Sequence, residues 1–169
     1  MADVSVFACS KNLVVYGATG SGKTTVLQTL ISLTDHNDRI ISVEKDSNEL
    51  FLPHINKISL FCADQTNDAK RTAYLILEAI LRLTPEVIVY GELRGEEAFS
   101  FFDAVTSGHK GLTTGHAQNY QAAINRFISM AQRGAPAGTT STDVRNLVLG
   151  AYNILIQVCR QTCTVDNKL

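Results

Sequence analysis

Residues 17–24 combine glycines, a lysine and a threonine at a spacing that suits phosphate binding. They read GATGSGKT, which matches the pattern GxxxxGK followed by Ser or Thr. The glycines allow backbone N–H groups to turn inward around a phosphate, and a helix that follows adds the positive end of its dipole. Lys23 is expected to reach the β- and γ-phosphates of ATP, and the Thr24 hydroxyl to ligate Mg²⁺. The predicted nucleotide-binding residues are Gly17, Ala18, Thr19, Gly20, Ser21, Gly22, Lys23, Thr24 and Thr25.

Carboxylates follow two other apolar runs. Glu92 comes two residues after the run that ends at Tyr90, where an acid can hold Mg²⁺ or its bound water. The alternative is that Glu92 caps the next helix or faces water. Glu44 opens the acidic segment EKDSNE, where a carboxylate can act as general base toward an attacking water. The alternative for that segment is a solvated charged turn.

Two histidines bracket the short segment KGLTTG. They are His109 and His116, and a short strand is predicted between them. Metal binding is not expected, because no cysteine or third histidine accompanies them. Phosphate sensing and structural hydrogen bonding remain as the two interpretations.

Apolar runs and helical patterns alternate along the chain and would position these side chains. The predicted strands are Asn12–Tyr16, Arg39–Glu44, Lys57–Cys62, Glu86–Tyr90 and Asn153–Cys159. The predicted helices are Lys23–Leu33, Asp68–Leu83, Glu96–Ser107, Tyr120–Arg133 and a last one through Gly150, capped by Ser141 or Thr142. Strands that alternate with helices of this length predict an α/β fold with parallel pairing and helices on both faces of the sheet.

Composition limits the classes of partner. The 169 residues are 45% hydrophobic and carry a formal net charge of −1, which is typical of one globular domain. The sequence has no basic stripe with interleaved aromatic residues, so direct nucleic-acid binding is not predicted. The longest apolar stretch, Ala73 to Leu83, is interrupted by Glu78 and falls well short of the roughly 18 residues of a membrane helix. No transmembrane segment is predicted.

Four segments, in this order, resemble those of the type II/IV secretion traffic ATPases, and in particular the conjugation (type IV secretion) branch. They are a Walker A loop GATGSGKTT (17–25), an acidic box VEKDSNEL (43–50), a Walker B segment VIVYGELRGEEAF (87–99) and a His box SGHKGLTTGHA (107–117). The resemblance implies a RecA-like P-loop domain with a mostly parallel central sheet flanked by helices. It also implies an ATP- and Mg²⁺-dependent ATPase that forms a homohexamer at the cytoplasmic face of the bacterial inner membrane. There it would contact other secretion-system components and power export or pilus assembly.

The resemblance also assigns roles to individual residues. Glu44 is similar to the glutamate that polarises water, Glu92 to the residue that supports Mg²⁺, and His116 to a histidine that faces the γ-phosphate. His109 is its companion in the His box, and Arg94 is similar to an arginine used for packing or communication between subunits. Residues 1–169 would be a single ATPase domain, equivalent to the C-terminal half of a two-domain protein whose N-terminal domain is absent here. An isolated domain of this kind is expected to hydrolyse ATP poorly.

The sequence departs from the family pattern in two segments. Glu44 and Glu49 are five residues apart instead of four, and Lys45 stands where an aspartate is usual. Alignment on the preceding strand makes Glu44 the catalytic acid, whereas alignment on Glu49–His54 puts Lys45 in that place. The His box is one residue shorter than in the conjugation branch and closer to the pilus-retraction branch, so the subfamily stays open.

Two other functions fit parts of the sequence. A nucleotide-binding interaction module would keep the Walker A loop and lose hydrolysis through Lys45. A small P-loop kinase would also have this size, but it needs an arginine-rich lid, and no arginine cluster is present. The nature of an exported cargo, whether DNA, protein or pilin, does not follow from the residues.

Overall fold

The computed structural model describes residues 12–45, 49–62, 69–159 and 163–167, with the backbone alone for 69–74 and 163–167. Within these residues seven strands form one sheet: β1 Leu13–Gly17, β2 Ile40–Lys45, β3 Lys57–Cys62, β4 Val87–Tyr90, β5 Lys110–His116, β6 Ile154–Val158 and β7 Cys163–Asn167. The helices in the described ranges are α1 Lys23–Ser32, α2 Ala69–Arg82, α3 Glu97–Thr106, α4 Tyr120–Gly134 and α5 Ser141–Ala151. The predicted α/β class is confirmed, and the predicted elements agree with these bounds to within one or two residues. The prediction that the last strand is Asn153–Cys159 is wrong, because β7 follows it.

The sheet has the strand order β3-β2-β4-β5-β1-β6-β7. The first six strands in this order pair in parallel, and β7 pairs antiparallel with β6. The carboxyl ends of the six parallel strands therefore meet along one edge of the sheet. In the central strands, Gly17 pairs with both His116 and Val158, so the loop after β1 begins beside the ends of β5 and β6.

Alternate residues of the strands lie on opposite faces of the sheet and belong to two separate hydrophobic cores. On one face, Leu13 and Val15 pack with Leu27 and Ile31 of α1. On the other face, a larger apolar cluster joins Val14 and Tyr16 to buried residues of the other four helices, among them Leu77, Phe101, Phe127 and Val148. Since both faces are covered, the parallel strands read as continuous apolar runs, and this is why the sequence predicts them well.

The start of α5 differs from the prediction. The N-cap is Thr140, one residue before the predicted Ser141 or Thr142. The Thr140 side chain accepts a hydrogen bond from the Asp143 backbone N–H, and the Asp143 carboxylate accepts one from the Thr140 backbone N–H. This reciprocal arrangement satisfies donors at the start of the helix, and the hydrogen bonds from Thr140 lower the pKa of the Asp143 carboxyl.

Replacement of Thr140 by alanine should lower the free energy of unfolding by about 1 kcal/mol, because it removes this cap. Ser141→Ala is the matched control and should lower the free energy of unfolding by less than half as much. Urea denaturation of both variants measures the difference. The Asp143 carboxylate adds to the free energy of unfolding at pH values above the ordinary aspartate pKa of about 3.9. This contribution is lost as the pH falls through the lowered pKa of the folded state. An equal cost for both variants at neutral pH would show that Thr140 is not the cap.

Candidate functional site

The loop between β1 and α1 opens onto the carboxyl edge of the sheet. Gly20 and Gly22 have φ angles of 70° and 97°, in the left-handed region that favours glycine. The N-cap of α1 is Gly22, which has no side chain that could cap the helix. The first turn of the helix contains no acidic residue. The positive end of the helix dipole is therefore not compensated by a nearby carboxylate on the same turn, which favours an anion at this end.

Lys23 is the first residue of α1 and is 7% exposed. Its Nζ donates a hydrogen bond to the Ala18 carbonyl at 2.9 Å and lies 3.3 Å from Nδ1 of His116. Burial lowers the pKa of Lys23, while the negative charge of Glu92 acts in the opposite direction. The ammonium group is thus folded back over the loop, at the wall of a cavity of about 340 Å³.

Glu92 lies on the same cavity between two basic side chains. His116 Nε2 is 2.6 Å from Oε1 of Glu92, and Arg94 Nη2 donates to Oε2 at 2.8 Å. His116 therefore contacts both Lys23 and Glu92. Thr24 also lines the cavity, so its walls include a residue with a hydroxyl and a residue with a carboxylate, both oxygen ligands of the kind that Mg²⁺ accepts. Among the described residues there is no cluster of three or more His, Cys, Asp or Glu side chains that could hold a metal ion by itself.

Glu44 is almost completely buried, at 4% exposure, and lines the cavity from the end of β2. Its Oε2 accepts hydrogen bonds from the backbone N–H groups of Glu49 at 2.7 Å and Leu50 at 3.1 Å. Its Oε1 is also buried and has no hydrogen-bond partner in the described part of the chain. A buried carboxylate oxygen without a partner is costly unless a ligand or a water meets it.

Lys45 also lines the cavity, but its charge is paired. Its Nζ lies 3.3 Å from Oε1 of Glu97, a carboxylate that is 6% exposed. The same oxygen accepts hydrogen bonds from the backbone N–H groups of Arg94 at 2.8 Å and Gly95 at 3.0 Å. Glu97 thus ties the loop after β4 to the end of β2. Glu97 is not among the predicted site residues, although an acidic residue in the first turn of a helix is a known signal for such contacts.

The structure brings most of the predicted site residues to this edge, but not all to one cavity. Thr19, Gly20, Lys23, Thr24, Glu44, Glu92, Arg94 and His116 line the cavity described above. Gly17, Ala18 and Ser21 line a neighbouring cavity of about 310 Å³ on the β6 side of the loop, and Thr19 borders both. Gly22 and Thr25 line neither.

His109 does not reach this site. It precedes β5, at the amino end of the sheet, and its Nδ1 lies 2.9 Å from the Pro85 carbonyl oxygen. A seven-residue strand spans roughly 20 Å and separates it from His116. Any part of His109 in the chemistry of the cavity would have to be indirect.

The chain is similar in sequence to proteins of bacterial secretion systems, both in the family model that it matches and in its curated relatives. Residues 6–166 match the family model described as type II/IV secretion system protein. The type IV secretion system protein VirB11 of Bartonella quintana is 35% identical over 155 residues, which cover 90% of this chain and 43% of that protein. VirB11 of Brucella suis is 40% identical over 123 residues, or 70% of this chain and 34% of that protein. The chain spans less than half the length of these curated relatives.

Two solved structures are similar to the whole fold. The crystal structure of the VirB11 ATPase of the Brucella suis type IV secretion system, in complex with sulphate, superposes with a TM-score of 0.82 at 27% identity. The superposed region covers 97% of this chain and 51% of the VirB11 chain. The pilus retraction motor PilT with bound ADP gives a TM-score of 0.70 at 25% identity, over 93% of this chain and 45% of the other.

Proposed function

The chain belongs to the type II/IV secretion system protein family, and on that basis we propose that it is an ATP-hydrolysing motor domain of a type IV secretion or pilus assembly system. One observation carries this proposal. A single cavity at the carboxyl edge of the parallel sheet contains the lysine of the phosphate-binding loop, a buried carboxylate with an unpaired oxygen, and a linked histidine and glutamate. These are the groups that phosphate binding, activation of water and response to the γ-phosphate require.

The phosphates of ATP would bind at the loop and the N-terminus of α1. Lys23 exchanges its hydrogen bond to the Ala18 carbonyl for the β- and γ-phosphate oxygens, which keep its ammonium group charged in the buried position. Thr24 and Glu92 would hold Mg²⁺, directly or through water, and bound Mg²⁺ neutralises charge on the phosphates. Because Glu92 contacts both Arg94 and His116, at least one of these contacts changes if Glu92 turns toward the ion.

Glu44 is the general base in this proposal. Its Oε2 is fixed by two backbone amides, and its Oε1 is the buried oxygen left to accept a hydrogen bond from water. Lys45 follows it in sequence, but its ammonium group is engaged by Glu97. This arrangement supports Glu44, and not Lys45, as the residue in the position of the catalytic acid.

His116 would report the state of the phosphates. It contacts Lys23 on one side and Glu92 on the other, so a change in either partner reaches it directly. Arrival and loss of the γ-phosphate change the local charge, and such a change can shift a packing equilibrium between subunits. We propose that the chain forms a homohexamer at the cytoplasmic face of the inner membrane, in contact with other secretion components, and that this change of charge drives movement between its subunits. None of the described helices combines the length and the apolar character needed to cross a membrane.

Phosphate release and native mass test the proposal together. The chain and a form extended at its N-terminus are compared with and without MgATP. We expect both to bind ATP, the extended form to hydrolyse it faster and only the extended form to assemble into a ring. Tight binding of ATP without phosphate release from an assembled ring would instead identify a nucleotide-dependent interaction module. Absence of ATP binding by both forms would contradict the proposal entirely.

A further inference from the structure

The segment 49–52 is held to the rest of the protein by side chains on two elements. Glu44 accepts hydrogen bonds from the backbone N–H groups of Glu49 and Leu50. The next residue, Phe51, is held by Gln28 of α1. The Phe51 N–H donates to Oε1 of Gln28 at 2.8 Å, and the Gln28 side-chain amide donates to the Phe51 carbonyl. One side-chain amide thus pairs with both backbone polar groups of one residue.

The backbone of Phe51 depends on this pairing because its side chain contributes little packing. Phe51 is 69% exposed, and Lys57 Nζ lies over its ring, 5.4 Å from the ring centroid. Leu50 and Leu52, in contrast, are buried in the core that contains α1. The amide pairing therefore fixes the one exposed residue between two apolar anchors, directly beside the amides that bind Glu44.

Gln28 also has a defined relation to the phosphate site. It follows Thr24 by four residues in α1, so the two side chains lie one turn apart on the same face of the helix. The helix that begins at the phosphate-binding loop is thereby connected through Gln28 and Phe51 to the two amides that hold the Glu44 carboxylate. A buried carboxylate needs such charge-assisted hydrogen bonds to keep its place.

We propose that Gln28 is a positioning residue for hydrolysis: through the backbone of residues 49–51 it fixes the Glu44 carboxylate relative to the phosphate-binding helix. This inference rests on the proposed function of Glu44 as general base. Displacement of a catalytic group by about 1 Å can reduce a rate by about a hundredfold. Loss of one indirect support should cost less, and we expect about a tenfold reduction.

The test uses Gln28→Met, which keeps the length of the side chain and removes both hydrogen bonds. Gln28→Ala is a second variant in case methionine packs in an unintended way, and Gln121→Met on the exposed face of α4 is the matched control. Amide hydrogen exchange of residues 49–51 is measured together with the affinity for MgATP and the single-turnover rate of hydrolysis. We expect faster exchange and a rate about tenfold lower in both Gln28 variants, with MgATP affinity within twofold of the parent and no change in the control.

A second arm separates positioning of Glu44 from a general structural role. The Gln28→Met change is repeated in a Glu44→Gln background, and the slow hydrolysis is followed with radiolabelled ATP over hours. If Gln28 acts through Glu44, the further loss in this background should be less than twofold. An equal tenfold loss in both backgrounds, a parallel loss of MgATP affinity, or an unchanged exchange rate at residues 49–51 would each overturn the inference. All variants are made in the N-terminally extended form; if the extended parent protein itself releases no phosphate, the proposed function fails, and the exchange data still show whether Gln28 holds the segment.

Discussion

Replacement of Lys23 by alanine is expected to reduce ATP hydrolysis by about 100- to 1,000-fold and to weaken MgATP binding. The side chain is buried at the wall of the cavity, its hydrogen-bond contacts are a carbonyl oxygen and a histidine nitrogen, and the charge of Glu92 offsets only part of the cost of its burial. A triphosphate supplies the anionic oxygens that it lacks. Isothermal titration with MgATP and a phosphate-release assay measure the two effects.

The pH dependence provides a second sign of the same role. Burial lowers the pKa of Lys23, so the free site loses the positive charge at a pH below the ordinary lysine range of about 10.4. MgATP affinity should therefore begin to fall as the pH rises toward that range. Bound phosphate favours the charged amine and should shift the fall to higher pH in the complex.

Lys110→Ala is the matched control for Lys23→Ala. Lys110 begins β5 at the opposite edge of the sheet and forms an ion pair with Asp38 at 3.1 Å. Its loss should leave MgATP binding and hydrolysis within twofold of the parent protein. If the Lys110 and Lys23 variants lost activity equally, the effect would be one of general destabilisation, and the assignment of Lys23 to the phosphate site would be wrong.

The sequence predicted the elements well because their signals are local. The loop at residues 17–24 has a fixed glycine and lysine spacing, and the buried strands form continuous apolar runs. The Thr140 cap was missed by one position. The pair Thr140 and Asp143 has the spacing of a capping box, but with aspartate in the place where glutamate or glutamine is usual.

Other features depend on contacts that the sequence does not reveal. The positions of β2 and β4 as neighbours, with β3 outside them, follow from long-range pairing. The Lys45 and Glu97 contact joins residues 52 positions apart, and so its consequence for Lys45 could not be foreseen. The separation of His109 from His116 was foreseeable, since an extended strand between them requires that they lie at opposite ends of the sheet.

Replacement of Glu44 by glutamine should reduce hydrolysis by about 100-fold or more while MgATP binding is retained, because removal of a general base costs about 10²- to 10⁴-fold. The glutamine carbonyl can still accept the two backbone hydrogen bonds made by Glu49 and Leu50, so the segment keeps its anchor. What is lost is the ability of the buried Oε1 to take a proton from water. Phosphate release under single-turnover conditions measures the rate, and titration with a non-hydrolysable ATP analogue measures binding.

Glu78→Gln is the control for the chemical change itself. Glu78 lies on the exposed side of α2, where it pairs with Arg82 at 2.5 Å, and the substitution should leave hydrolysis unchanged.

Lys45→Ala distinguishes the two alignments of the acidic box. If Glu44 is the base, Lys45→Ala should lower the rate by less than Glu44→Gln does, because the ammonium group of Lys45 is paired with Glu97 and cannot accept a proton from water. A Glu44→Gln protein that hydrolyses ATP at the parental rate would remove Glu44 from the mechanism and favour an alignment in which this segment has lost its catalytic acid.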